Sequence, residues 1–189
     1  MSLKGKIITF IIPLLPWSPG ERGQVGEEIV ELKEKGGEVF PFLLVGEGES
    51  SFPGVEERAG GLKGLVMEKE EALSSKLLYQ ADLVLVAPCP GSLLEELARR
   101  EFPPPGLPLI VAPHSYQEEG KEAMAGLRKL FKRDLTYFVP FQPLRRRNKG
   151  EAAGTFFRSR LDLIGETAEG ATREGQVQPV VLELESFPG

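Results

Sequence analysis

The chain has 189 residues, 41% hydrophobic and 27% charged, with a formal net charge of -5. Those values describe a soluble domain able to bury its own core, and the acidity argues against nucleic acid as the main partner. One cysteine, Cys89, and one histidine, His114, exclude a disulfide framework and a cysteine-built zinc site, and no carboxylate cluster offers another metal site. No segment approaches transmembrane length, and Ile7 to Leu15 is interrupted by Pro13 and lacks a small-residue cleavage site. A cytoplasmic protein without membrane contact is expected.

Lys6 to Ile12 reads as the first buried strand, followed by a proline-rich loop from Pro13 to Gly23. Val25, Ile29 and Leu32 fall at helical spacing within Gln24 to Lys35, and Gly36-Gly37 ends that helix. Glu38 to Leu44 is the second strand, and Gly46 to Gly61 an exposed loop rich in glycine and glutamate. Leu65 to Met67 reads as a short edge strand, and Glu68 to Gln80 as a helix with Leu73, Leu77 and Leu78 inward.

Leu83 to Ala87 is too uniformly apolar to alternate, which marks a strand buried on both faces. A Pro-Cys-Pro-Gly-Ser elbow, Pro88 to Ser92, follows, and then a helix with Leu93, Leu94 and Leu97 on one side. The stiff connector Phe102 to Gly106 leads to a strand from Leu107 to Ala112, ending in Pro113-His114-Ser115. Gln117 to Lys132 is helical, Leu135 to Val139 is the fifth strand, and Phe141 to Gly150 reads as a basic loop. Thr155 to Thr172 reads as a helix with Phe156, Phe157, Leu161 and Ile164 on its apolar side. Within the tail, 173–189, Pro179 to Leu184 can pair at a sheet edge.

Strands alternating with helices predict one α/β domain over 1–189: a three-layer sandwich on a parallel, flavodoxin-like or Rossmann-like sheet of about five to six strands. Ligands bind such sheets beyond the carboxyl ends of the strands. Three loops qualify: Pro13 to Gly26, Pro88 to Ser92, and Pro113 to Tyr116. Gly91 and Ser92, opening a helix, can hold a phosphate or carboxylate, or Ser92 can be an ordinary N-cap. Cys89 near a helix start is either a thiol of lowered pKa or a small apolar filler. His114 is an acid or base near neutral pH, or a surface histidine without a task. The cluster Arg145, Arg146, Arg147, with Lys149, is either a solvated loop or an anion or partner contact. The glycines of Gly20 to Gly26 form neither a P-loop nor a G-x-G-x-x-G turn, so the chain alone is a poor dinucleotide binder.

The opening M-S-L-K-G-K-I, the elbow V-A-P-C-P-G-S, T-Y-F-V-P-F-Q-P (Thr136 to Pro143), L-D-L-I-G-E-T (Leu161 to Thr167) and Q-P-V-V-L-E (Gln178 to Glu183) occur in order along the chain. In these segments the sequence resembles the B subunits of dipicolinate synthase, in the flavoprotein superfamily that includes flavin-dependent cysteine decarboxylases. The resemblance implies a cofactor-binding elbow at Ala87, Pro88, Cys89, Gly91 and Ser92. It also implies FMN as the superfamily's cofactor and an A-type partner subunit carrying NAD(P). The implied activity is oxidation of a small dicarboxylate of the dihydrodipicolinate pathway during sporulation, in a homo- or hetero-oligomer. The loop Ile12 to Ser18 departs from the superfamily's Gly-Ser phosphate loop. Prolines have no N–H for a phosphate, so weak or no flavin binding is expected.

Overall fold

A computed structural model describes residues 2–15, 17–46, 54–146 and 154–173. Six strands form one sheet: β1 (Ile7–Pro13), β2 (Glu38–Val45), β3 (Leu65–Glu68), β4 (Leu83–Cys89), β5 (Leu109–Pro113) and β6 (Thr136–Phe138). Every neighbouring pair is parallel, in the order β3-β2-β1-β4-β5-β6. This is the doubly wound Rossmann order, and the order reverses between β1 and β4.

The apolar run predicted as a central strand is β4, flanked by β1 and β5 and buried at all seven positions. Its side chains alternate between the two cores. Val84 and Val86 face one, with residues of α3 (Lys69–Leu73), α4 (Gly91–Arg99) and α5 (Lys121–Phe131). Leu83, Leu85 and Ala87 face the other, with residues of α1 (Pro19–Glu34), α2 (Gly54–Ala59) and α6 (Ile164–Thr172). Each such leucine or valine contributes roughly 1.5–3 kcal/mol by leaving water, which is why a run apolar on both sides settles at the sheet centre. The short strand predicted at Leu65 to Met67 is the edge strand β3.

Several boundaries differ from the predicted ones. The first helix begins at Pro19 rather than Gln24, because Ser18 and Glu21 form a capping box ahead of the apolar stripe. The predicted helix Glu68 to Gln80 is broken at Ser74-Ser75 into α3 and a 3₁₀ turn, Lys76–Gln80, which turns Leu77 outward. The stretch predicted as an exposed loop contains α2.

The largest difference lies after β6. The predicted basic loop begins as a strand, β7 (Phe141–Arg146), paired antiparallel with β8 (Gly154–Ser159). Phe156 and Phe157 therefore obey a strand's alternation, not a helix's spacing: Phe157 is fully buried and Phe156 half-buried. The last helix forms only from Ile164. The tail segment Pro179 to Leu184 lies outside the described residues.

Candidate functional site

The carboxyl ends of β1, β4 and β5 lie side by side at the sheet centre, as the three predicted loops require. Two clefts open there. One, of about 470 Å³, is lined by residues including Pro13, Leu15, Gly46, Lys69 and Ser92. The other, of about 410 Å³, is lined by Glu21, His114, Ser115, Tyr116, Phe156 and Arg158.

The elbow beside the first cleft is closed. Ala87, Pro88 and Cys89 belong to β4 itself and are buried. The Cys89 thiol packs in the core and donates weakly to the Pro90 carbonyl, at 3.8 Å. Burial, and then the Glu119 charge, push the thiol well above its ordinary value. This is opposite to the lowered pKa suggested by the nearby helix start, and it makes Cys89 a protonated packing residue. Pro90, not Ser92, is the N-cap of α4, and Ser92 is exposed at the cleft wall.

The Gly91 N–H already has an anion. It donates to Glu119 Oε1 at 3.1 Å, so a carboxylate of this chain sits where a ligand's phosphate was expected. The Ser115 hydroxyl also bonds Glu119, while the Phe157 N–H donates to Ser115 Oγ at 2.7 Å. Burial pushes the Glu119 carboxyl up, and the bonds from the Gly91 N–H and the Ser115 hydroxyl only partly offset it. A Cβ at Gly91 would stand 1.6 Å from Glu119 Oε2 and 2.9 Å from Ala123 Cβ. Any larger residue here would have to displace the Glu119 carboxyl and crowd Ala123.

The second cleft brings together residues far apart in the chain. His114, just past β5, meets Glu21 from the first turn of α1, with Nε2 2.7 Å from Glu21 Oε2. Its Nδ1 accepts from the Ser159 N–H at 3.2 Å. An Nδ1 that accepts must be unprotonated, so the neutral ring carries its proton on Nε2 and donates to the carboxylate. Burial pushes the His114 pKa down, and Glu21 only partly restores it. Both ring nitrogens are engaged, and His114 acts as a strut between α1, β5 and β8 rather than as a free base.

Glu21 collects donors. Oε1 accepts the Ser18 N–H at 2.9 Å, and Oε2 accepts the Tyr116 hydroxyl at 3.1 Å besides His114. Burial raises its pKa, but the Ser18 N–H, His114 and the Ser18 and Tyr116 hydroxyls outweigh it and hold Glu21 below the usual carboxylate range. Arg158 stands on the facing strand. Its Nη1 donates to the Ser115 carbonyl at 2.7 Å, which fixes the guanidinium at the cleft rim.

Of the basic cluster, Arg145 and Arg146 lie on β7, with Arg145 opposite Thr155, and Arg147 lies outside the described residues. The cleft's cation is instead Arg158. Glu21 carried a sequence sign, the capping box Ser18-Pro19-Gly20-Glu21. Tyr116 lay in the predicted strand-end loop Pro113 to Tyr116, but Glu119 and Arg158 carried no sign, because only the β5–α5 loop and the hairpin bring them near the strand ends.

Among the described residues, the helix starts at the strand ends offer a phosphate-bearing cofactor few free N–H groups. At the start of α1, Pro19 has no N–H, the Ser18 and Glu21 N–H groups close the capping box, and Glu21 adds a negative charge. At the start of α4, Glu119 holds the Gly91 N–H. A third helix follows the same plan: Glu28 Oε1, on α1, accepts the Gly165 N–H of α6 at 2.9 Å. Phosphates bind helix starts through free N–H groups, and at each of these starts a carboxylate of the chain itself holds one of them. Among the described residues, no group of three or more His, Cys, Asp and Glu side chains is placed to hold a metal ion, and no helix is long and apolar enough to cross a membrane.

No protein-family model matches the chain, and no curated protein matches it in sequence. Solved structures similar to it include the cypemycin decarboxylase CypD, at TM-score 0.46 and 14% identity over 73% of this chain and 84% of that one. The FMN-dependent cysteine decarboxylase SpaF is similar at TM-score 0.48 and 11% identity, over 89% and 95% of the two chains. The epidermin biosynthesis protein EpiD from Staphylococcus aureus is similar at TM-score 0.48 and 12% identity, over 82% and 94%.

Proposed function

We propose that this chain is a flavin-free relative of the flavoprotein superfamily. In this reading it acts as one subunit of a two-chain oxidoreductase of the dipicolinate synthase type. The observation that carries it is the self-capping of the helix starts at the strand ends: Glu21 at the start of α1 and Glu119, from the β5–α5 loop, at the start of α4 hold N–H groups a cofactor phosphate would use. A chain built this way carries no redox cofactor by itself, which agrees with its lack of a dinucleotide fingerprint. The hydride acceptor, NAD(P), would then belong to an A-type partner. The strand-end face of this chain would complete the site for a small dicarboxylate.

The test is reconstitution. The purified chain, a cognate A-type subunit, substrate and NADP together should form dipicolinate that neither chain forms alone. Full rate from the A-type subunit alone, or turnover by this chain alone, overturns the reading. Of the two alternatives, a flavin-binding protein acting on another substrate has tight stoichiometric FMN binding as its mark, and a non-catalytic partner subunit has no activity even beside an A-type subunit.

A further inference from the structure

We propose that the cleft between Glu21 and Arg158 binds a small zwitterion, a molecule with a carboxylate close to a protonated nitrogen. The carboxylate would meet Arg158 and the nitrogen Glu21. The cleft lies wholly within one chain, so this inference stands whether or not a partner subunit exists.

Four observations carry it. The two side chains line one cleft of about 410 Å³ with opposite charges, yet no ion pair within 4.0 Å joins them. Glu21 is held in place by Ser18, His114 and Tyr116, which use three of its roughly four lone-pair sites and leave room for one more donor. Arg158 is anchored through Nη1 alone, to the Ser115 and Phe157 carbonyls. Its Nε and Nη2 have no acceptor among the described residues, which leaves a planar pair of donors for a carboxylate. Phe156 and Tyr116, both half-buried, supply apolar walls for the body of a ligand.

Charge then selects the class. A simple carboxylate that reaches Arg158 faces the Glu21 charge, and a simple amine that reaches Glu21 faces the Arg158 charge. Only a molecule bearing both groups satisfies both walls. The site is also stiff: hydrogen bonds from Phe157 N–H to Ser115 and from Ser159 N–H to His114 tie the hairpin to the β5 loop, so little ordering is left for binding to cost.

His114 is the only histidine in the chain and lines this cleft, so its imidazole C–H proton signal is a single, assigned reporter. Untagged protein is titrated with L-proline, with pyrrolidine and cyclopentanecarboxylate as one-charge controls of the same ring size. L-Proline should shift the His114 signal saturably, with each control at least tenfold weaker. Arg158→Gln, with its fold checked by circular dichroism, should weaken L-proline at least tenfold. An unmoved signal with L-proline, equal shifts from the one-charge controls, or unchanged L-proline affinity in Arg158→Gln overturns the proposal.

Discussion

At the end of β4 the elbow backbone is bonded from within, beside a cleft of about 470 Å³. Cys89 is sealed, and the α4 start is taken by Glu119. At the end of β5, the next strand along, the chain leaves a polar opening, with Glu21, Tyr116 and Arg158 around it. The two regions share Ser115, whose hydroxyl bonds Glu119 on the elbow side and accepts the Phe157 N–H on the cleft side. The difference shows what a strand-end elbow can become. A glycine opening a helix has the geometry for a foreign anion, yet a carboxylate from a neighbouring loop can take the same seat. Ligand-binding capacity then passes to the cleft where charges stay unpaired.

Gly91→Val puts the greatest strain on this comparison. The added atoms meet both Glu119 and Ala123, so overpacking should cost about 3 kcal/mol, read from the urea midpoint. An unchanged midpoint would mean that Glu119 swings aside freely and that the elbow is open after all.

Glu28→Gln tests the self-capping plan on α6, away from both regions. Burial, and then the nearby Glu31 charge, push the Glu28 carboxyl up to about 7, against the opposing Gly165 N–H. The folded state therefore holds a proton that the unfolded chain releases near pH 4.5, and stability should fall as pH rises from there to about 7. Glutamine keeps the Gly165 bond without the charge. It should flatten that slope and gain on the order of 2 kcal/mol at pH 8. An identical slope in the variant would place the pH dependence elsewhere.

Cys89→Ser distinguishes filler from nucleophile. A hydroxyl in a fully buried thiol seat should cost about 1 kcal/mol. In the native protein the thiol should react with a disulfide reagent only at the rate of unfolding. Rapid native-state labelling would restore Cys89 as a reactive group. The smallest effect belongs to His114. Its proton-resonance titration should have a midpoint below the ordinary imidazole value near 6.5, because burial disfavours the charged ring. By linkage, the unfolded chain takes up that proton first, so this group costs stability as pH falls below about 6.5. A midpoint above 6.5 would mean that Glu21 dominates and that the ring is charged in the fold.

The legible parts of the sequence were those governed by local pattern. Leu83 to Ala87 announced a central strand because no alternation fits a run buried on both faces, and Leu65 to Met67 is the edge strand expected. The β7–β8 hairpin was not legible. Phe156-Phe157 and the basic run suit a helix or a loop equally well until Phe141 and Phe157 pack edge to face under α5. The cleft inherits that difficulty, since Arg158 reaches it only through the hairpin. The elbow was legible as a position but not as a state. Nothing around Gly91 reveals that Glu119, 28 residues on, caps it.

The self-capped strand ends are tested most directly by titrating FMN with the purified chain and following the flavin's own fluorescence. With Glu21 and Glu119 on the helix starts, FMN at micromolar concentration should keep its free fluorescence throughout. Stoichiometric quenching with tight binding would contradict that, and would show that the carboxylates give way to the cofactor's phosphate.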